Sequence, residues 1–373
     1  MASRRATVTR EPLADVISRF DAAAPLDEAW TIPGDWYTDP RVAELERRTV
    51  WSRTWQLVGR TEQVAASGQF VTADIAGEPI VVVRGSDGVL RAFFNVCRHH
   101  AAAVITAPCG KVDKLRCPYH GWTYDLAGRL RGVPEFDGVK QFDRDTMGLH
   151  PVSVSTWESF VFVHLDPDPP SIESTLGALV EQAAPLGLGS LGFVERREYT
   201  LACNWKVFVD NYLDGGYHVP HLHAGLGSIL DHKRYTIENF ERFCLQSCPI
   251  DPKGGEEMTA STRRGFARYY WVYPNLMLNW YEGYLDVNLV VPLAVDRTKV
   301  VFEFFFADPT RTEDNQRSIA VSDRIQDEDH AICESVQRGL GSRAYRAGRL
   351  SVRREAGENL FHRLLAADLR AGL

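Results

Sequence analysis

Four side chains near the front of the chain carry the first chemical signal. They stand as Cys97-x-His99 and Cys117-x-x-His120 within NVCRHHAAAVITAPCGKVDKLRCPYHGW, with seventeen residues between the halves. Two cysteines and two histidines are an acceptable ligand set for zinc. Zinc fingers, however, keep their cysteines together and their histidines together, whereas each half here contributes one thiol and one imidazole. That distribution suits a [2Fe–2S] cluster in which two cysteines hold one iron and two histidines the other. The third reading, buried thiols beside unrelated histidines, leaves the paired spacing unexplained. Gly121 and Trp122, directly after the second half, strengthen the cluster reading.

A cluster of this kind only carries electrons one at a time, and the long stretch of chain behind it raises the question of a second metal. NWKVFVDNYLDGGYHVPHLH contains His218, His221 and His223. A mononuclear iron(II) oxygenase needs two histidines and one carboxylate on one side, with positions left open. On an ideal helix His218 and His223 diverge by about 140°, while His218 and His221 are closer, so geometry alone leaves the pair open. For the carboxylate, Ile325, Ile332, Val336 and Leu340 form an apolar stripe at helical spacing, and Asp329 lies on it. Asp327 points nearly opposite and Glu328 sits at the margin. A carboxylate on an apolar face must be paired, protonated or on a metal, which selects Asp329.

The elements that must position these groups follow from local pattern. YTDPRVAELERRTVWSRTW predicts a helix with Asp39 as N-cap and Pro40 in its first turn. Residues 56–166 read as short strands broken by Gly and Asp turns, a small all-β domain that ends at the linker DPDPP. Behind it the texture is α+β. A helix is expected over SIESTLGALVEQ, strands over VERREYTLA, and a helix around NWKVFVDNYLDGGYHV. Further strands are expected over YYWVYPNLMLNW, LDVNLVVPL and KVVFEFFF, then a long helix from Asp314 to Gly339. The domain boundaries expected are 1–55, a helical segment packing on the catalytic domain, then 56–166 and 167–373. GLGSLG at 187–192 fits a dinucleotide fingerprint but follows a helix and precedes a strand, the wrong order for one.

Composition narrows the function classes. At 45% hydrophobic and 24% charged the chain can bury a core and is not a disordered type. The formal net charge of -7 gives no basic footprint for nucleic acid. Apolar runs such as FVFVHL are too short to span a membrane. Seven cysteines, an odd number without a secretory leader, read as a reducing compartment, the cytoplasm, with an organelle as the alternative. Cys244 and Cys248 read as core thiols and Cys109 as a loop residue.

CRHH…CPYHGW resembles the Rieske domain of ring-hydroxylating-type non-haem iron oxygenases, and the likeness runs from DWYTDP to YRAGRLSVRREAG. DNYLDGGYHVPHLH, YPNLMLNWYEGYLDVNLVVPL and CESVQRGL are similar to the choline monooxygenase-like branch of that family. The resemblance implies a Rieske domain ahead of a larger antiparallel, helix-grip-like catalytic domain. It implies Cys97, His99, Cys117 and His120 on the cluster, and it matches the family's H-x4-H motif to His218 and His223, with Pro220 distorting the helix. It also places the iron ligand of the ED…Q-x-G segment at Asp329. A separate flavin- or ferredoxin-type reductase would pass electrons from NAD(P)H to the cluster and on to iron, where O2 is used to hydroxylate a C–H bond. Subunits would form a head-to-tail homotrimer, with Asp214 as the carboxylate bridging cluster and iron between subunits and Asp210 as the fallback. For a quaternary ammonium substrate, bound by aromatic faces and carboxylates, the candidates are Tyr270, Tyr273, Trp280, Tyr281 and Tyr284 with Glu282 and Asp286. Hydroxylation of an aromatic ring or acid is the alternative, and a Rieske electron carrier without catalysis the rival from another class.

Overall fold

The computed structural model describes residues 11–223, 226, 230–250 and 265–373. Contacts divide the chain into two compact units, Arg47–Gly189 and the pair of segments Met1–Glu46 and Ser190–Leu373. No described helix is long and apolar enough to cross a membrane.

The first unit is built of strands. β1 (Gln56–Arg60), β2 (Gln69–Ile75), β3 (Glu78–Arg84), β4 (Leu90–Phe94), β5 (Cys109–Lys111), β9 (Pro151–Trp157) and β10 (Phe160–His164) form one antiparallel sheet in the order β1-β10-β9-β4-β3-β2-β5. A smaller sheet joins β6 (Leu115–Arg116), β7 (Thr123–Tyr124) and β8 (Leu130–Gly132). Strand β3 shows how the sequence does this. Ile80, Val81, Val82 and Val83 are an unbroken apolar run because successive side chains point to opposite faces and both faces are covered. Ile80 and Val82 pack with Val64, Val161 and Val163. Val81 and Val83 pack with Phe93, Cys97, Cys117 and Trp122. One side of the sheet is therefore the floor beneath the Cys/His loops.

The second unit carries a seven-stranded antiparallel sheet of β11 (Gly192–Leu201), β12 (Thr236–Asn239), β13 (Phe243–Pro249), β14 (Phe266–Val272), β15 (Leu276–Tyr281), β16 (Tyr284–Ala294) and β17 (Arg297–Phe306). Its order is β11-β17-β16-β15-β14-β13-β12. The helix Trp205–Leu213 and the single turn Val219–Leu222 lie between β11 and β12, and the helices Thr312–Leu340 and Ala356–Arg370 follow β17. The α+β class expected from the sequence is the class found.

Three local expectations are corrected. SIESTLGALVEQ forms two short helices, Ile172–Leu176 and Ala178–Ala183, because Gly177 takes a positive φ of 54° between them. The helix around NWKVFVDNYLDGGYHV stops at Leu213, since Gly215 and Gly216 both turn left-handed (φ 67° and 66°) and the chain restarts as a separate turn. Pro220 opens that turn rather than kinking a longer helix. The apolar stripe of Thr312–Leu340 is not its buried face. Ile332 and Val336 are 38% and 44% exposed, while Asn315, Ser318, Ile319, Val321, Ser322, Gln326 and Cys333 are buried. Polar side chains share the inner face because they have partners there, Asn315 donating to the Asp308 carbonyl and Ser322 lying against Asp286, so hydrophobic periodicity points the wrong way.

The amino-terminal segment of this unit is fixed by a buried ion pair. Lys206 Nζ donates to Glu46 Oε1 at 2.6 Å, the indole of Trp205 donates to Glu46 Oε2 at 2.8 Å, and Lys206 and Glu46 are essentially inaccessible. The Lys206 ammonium also lies over the rings of Tyr37 and Trp205. Burial lowers the Lys206 pKa, and Glu46 opposes that shift. Glu46→Ala strands the buried ammonium and is expected to cost about 3–5 kcal/mol. The double change Glu46→Ala/Lys206→Met is expected to recover most of that loss. Chemical denaturation of the three proteins checks both, and equal destabilisation in the single and double variants would contradict it.

Candidate functional site

The two Cys/His loops have the same backbone construction. In the first, Cys97 N–H donates to Ala102 O at 2.9 Å and Ala101 N–H to Cys97 O at 2.9 Å. In the second, Cys117 N–H donates to Trp122 O at 2.9 Å and Gly121 N–H to Cys117 O at 3.1 Å. The fourth residue after each cysteine is left-handed, Ala101 at φ 62° and Gly121 at φ 72°. Each loop thus closes tightly over its own cysteine and throws the intervening histidine outward.

Both cysteines are buried, at 3% and 2% exposure, while His99 is half-buried and His120 exposed. The His99 and His120 rings meet edge to face at 4.7 Å between centroids. His99 stacks flat on Trp122 at 4.7 Å. Its Nδ1 is buried without any hydrogen-bond partner. Burial, with His100 and His120 alongside, lowers the His99 pKa and favours the neutral ring. An orphaned, neutral imidazole nitrogen beside two inward thiols is a donor set that fits an iron–sulfur cluster. The hydroxyl of Tyr124 lies 3.5 Å from Cys97 Sγ and accepts the Arg98 amide at 3.0 Å. His100 is exposed beside this set. Cys109 is exposed on β5, and Cys244 and Cys248 are fully buried, their thiol pKa values pushed by burial to about 12 and about 11.

In the second unit, the turn after Gly216 brings two histidines to the long helix. His218 stands before the turn in helical conformation, whereas His223 follows it at φ −109°, ψ 78°, out of the helix. That exit is what lets residues five apart converge. The donor atoms of His218, His223 and Asp329 all lie within 4.8 Å of one another. His223 Nε2 is 3.1 Å and His218 Nε2 3.8 Å from Asp329 Oδ1. His221 points to solvent. Asn211, on the helix Trp205–Leu213, donates to Asp329 Oδ1 at 2.8 Å.

Each imidazole is held from behind by a carboxylate. His218 Nδ1 lies 2.6 Å from Asp214 Oδ2, which also accepts the His218 amide at 2.9 Å. His223 Nδ1 lies 2.5 Å from Glu328 Oε2. Such contacts fix ring tautomer and orientation, leaving Nε2 free to bind a metal. Burial alone would lower the His223 pKa, but hydrogen bonds and charge from Asp329 and Glu328 outweigh it and raise it. A pocket that stabilises a proton in this way is equally built to hold a cation. Two Nε2 atoms and a carboxylate oxygen fit the two-histidine, one-carboxylate set of non-haem iron(II). Asp210 is placed elsewhere: it accepts from Tyr37 Oη at 2.6 Å and pairs with His362 Nε2 at 3.0 Å.

A cavity with about 750 Å³ of unfilled space, part of it open to solvent, adjoins this triad. Its sheet wall is fixed by register. Gln246 pairs with Tyr269, Tyr269 with Asn279, and Asn279 with Asp286, so all four face the same side and line it. Tyr281 lies two residues beyond Asn279 and also lines the cavity, while the buried Tyr284 stands behind the wall, its hydroxyl 3.3 Å from Asp286 and 3.1 Å from Ser322. The period of two puts Tyr270 and Trp280 on the opposite face, where Arg268 covers the Trp280 ring. Tyr273 donates to Asp368 at 2.7 Å, away from the cavity, and Glu282 is exposed in the β15–β16 turn. Of the aromatic and acidic candidates, the structure therefore brings Tyr281 and Asp286 to the cavity, sets Tyr284 behind Asp286, and leaves Tyr270, Tyr273, Trp280 and Glu282 outside. Tyr212, Tyr235, Tyr269, Phe208 and Phe302, all lining it, were not singled out by sequence. For Tyr269 the signal was present, since alternation from Tyr281 through a hairpin reaches it.

A strand-built domain with paired Cys/His loops, followed by an α+β domain with a two-histidine, one-carboxylate triad, defines a Rieske-type non-haem iron oxygenase. Family models agree: Rieske [2Fe-2S] domain over residues 54–143 and ring hydroxylating alpha subunit (catalytic domain) over 188–371. The chain is 40% identical to the chloroplastic choline monooxygenase of Arabidopsis thaliana, over 96% of this chain and 87% of the relative. It is 34% identical to the carnitine monooxygenase oxygenase subunit of Escherichia coli (strain K12), over 91% and 94%. The crystal structure of the quaternary ammonium Rieske monooxygenase CntA in complex with L-carnitine superposes with a TM-score of 0.83 at 29% identity, over 97% of this chain and 99% of that one. The chain belongs to the Rieske-type ring-hydroxylating oxygenase family, and its cofactors are a [2Fe–2S] Rieske cluster and a mononuclear iron.

Anaerobically isolated protein is expected to be brown, with about three irons per chain. Asp329→Ala should lower this to about two while the visible spectrum of the cluster stays. Glu328→Gln should weaken mononuclear iron binding by about 10–100-fold, read by chelator competition. Unchanged iron affinity in Glu328→Gln would show that the His223 contact does not orient the ligand.

Proposed function

We propose that this protein is the oxygenase component of a monooxygenase that hydroxylates a small quaternary ammonium compound with O2 and electrons from a separate reductase. Cys97, His99, Cys117 and His120 hold the cluster, and His218, His223 and Asp329 hold the iron. When bound, the cluster supplies electrons singly and the iron activates O2, so that R–H, O2, two electrons and two protons become R–OH and water. The chain's part is positional. Asp214 and Glu328 set the two imidazole rings, Asn211 fixes the carboxylate of Asp329, and the cavity wall holds the substrate beside them.

The observation that carries the substrate class is the cavity lining. Phe208, Tyr212, Tyr235, Tyr269, Tyr281 and Phe302 line the cavity together with Asp286, and a methylated ammonium, which has no N–H to donate, is held by ring faces and carboxylates. The similarity to choline and carnitine monooxygenases supports the same reading. O2 uptake with a generic reductase and NADH, across choline, carnitine, betaines and aromatic acids, tests it. Uptake coupled to product is expected with at least one of the quaternary ammonium compounds, and turnover confined to aromatic acids would replace this reading with ring hydroxylation.

We further propose a head-to-tail homotrimer in which Asp214 bridges His218 to His120 of the partner subunit. Support comes from Asp214 itself, which is in contact with His218, while Asp210 is committed to Tyr37 and His362. With iron supplied in excess to offset any loosening of His218, Asp214→Asn should keep both metals yet nearly abolish turnover. The measurement is single-turnover re-oxidation of the reduced cluster with substrate and O2. Re-oxidation at the unmodified rate in Asp214→Asn, with slow re-oxidation in Asp210→Ala, would transfer the role to Asp210.

A further inference from the structure

The charge of the cavity is one-sided. Asp286 and Asp329 line it, and among its described lining residues there is no lysine or arginine. Asp286 is held rigidly. Asn279 and Asn288 each donate to its Oδ1 at 2.7 Å, and the hydroxyls of Tyr284 and Ser322 lie 3.3 Å from its Oδ2. The neighbouring polar groups are tied into the same run. Tyr212 Oη donates to Asn279 Oδ1 at 2.8 Å, Gln246 Nε2 donates to the Tyr212 carbonyl at 2.8 Å, and Tyr235 Oη donates to Gln246 Oε1 at 3.1 Å.

Gln326 breaks this pattern. It is buried, it lines the cavity, and its Nε2 has no hydrogen-bond partner. Its place on the long helix is between the two ends of the site: one turn after Ser322, which touches Asp286, and just under one turn before Asp329. At a rise of 1.5 Å per residue, Ser322 to Asp329 spans about 10 Å. A compact ligand whose cationic head rests at Asp286 therefore carries its next polar group past Gln326 on the way to the iron triad. A hydroxyl both donates and accepts, so it satisfies that amide in either orientation of its nitrogen and oxygen. A carboxylate there would need several N–H donors or a cation to replace its water. It would also lie near Asp286, whose charge no metal offsets.

The geometry points to a filter on the substrate's tail: the cavity accepts a quaternary ammonium compound bearing an uncharged oxygen, with Asp286 facing the cationic head and Gln326 bonding the oxygen, and it discriminates against zwitterions that carry a carboxylate. This inference rests on the proposed quaternary ammonium chemistry and divides that class, which includes both choline, a cationic alcohol, and carnitine, which bears a carboxylate as well.

Equilibrium binding to the purified holoenzyme without reductase, by calorimetry, tests it. The probes are choline, its uncharged carbon isostere, glycine betaine, L-carnitine, tetramethylammonium and benzoate. Choline is expected to bind at least about tenfold more tightly than either zwitterion and than the uncharged isostere. Gln326→Leu should weaken choline severalfold and leave tetramethylammonium, which has no oxygen, unchanged. Asp286→Asn should erase the preference for choline over its uncharged isostere; should that variant not fold, the panel on the unmodified protein decides alone. A zwitterion binding as tightly as choline overturns the filter while leaving the quaternary ammonium reading in place, as does equal weakening of choline and tetramethylammonium in Gln326→Leu. Binding of benzoate with no ammonium compound bound sinks the underlying reading instead.

Discussion

The hydrogen bond from Asn211 to Asp329, 2.8 Å long, joins the two helices on which the catalytic unit is organised. A carboxylate in a protein interior must be answered by donors or a cation, and here the donors come from a different element than the carboxylate does. That requirement sets the spacing between the helix Trp205–Leu213 and the helix Thr312–Leu340. The turn bearing His218 and His223 is then placed by the two glycines at the end of the first helix. The sheet closes the remaining side, and what is left between helices and sheet is the cavity. Ser322 and Gln326, buried polar residues on the long helix, line it too.

The Rieske loops solve a different problem by a simpler means. Their two matched pairs of backbone hydrogen bonds ask little of side-chain identity beyond the four ligands and a residue that tolerates the left-handed region. Gly121 meets that demand at no cost, whereas Ala101 adopts it with a Cβ present. The thiols are drawn inward and the imidazoles left at the rim, an order of burial suited to a centre that is anchored from below and read out at its surface.

How much of this was legible in the sequence depended on which force placed each residue. The strands of the first unit were readable because β3 and its neighbours obey burial on two faces. The cysteine spacing was readable because loop chemistry is local. Asp329 was singled out by a stripe of which two members, Ile332 and Val336, turn out to be exposed. The reasoning failed because the buried face of that helix mixes Ile319, Val321 and Cys333 with polar side chains that find partners, and apolar periodicity is silent about those. Glu328 was set aside as marginal, yet it reaches His223, since a long side chain at the edge of a helix can turn toward a neighbour that the sequence places more than a hundred residues away. The break at Gly215–Gly216 could have been anticipated from the doublet itself. Among the aromatic candidates, composition could not separate Tyr281 from Trp280, but strand alternation does, once the hairpin register is known.

The sheet wall of the cavity has an implication for how such a protein changes over time. Metal-binding atoms ride on helices and a turn, and Gly215 there is locked, because a Cβ would sit 2.1 Å from the Arg354 carbonyl oxygen. Recognition of the organic molecule, by contrast, is written in part on alternate positions of β13 to β17, whose side chains can be exchanged without disturbing the ladder that carries them. Retargeting toward a new compound therefore has a cheap route and a forbidden one within a single unit. Diversification should gather on the inward positions of those strands, while the doublet and the residues behind the imidazoles drift least.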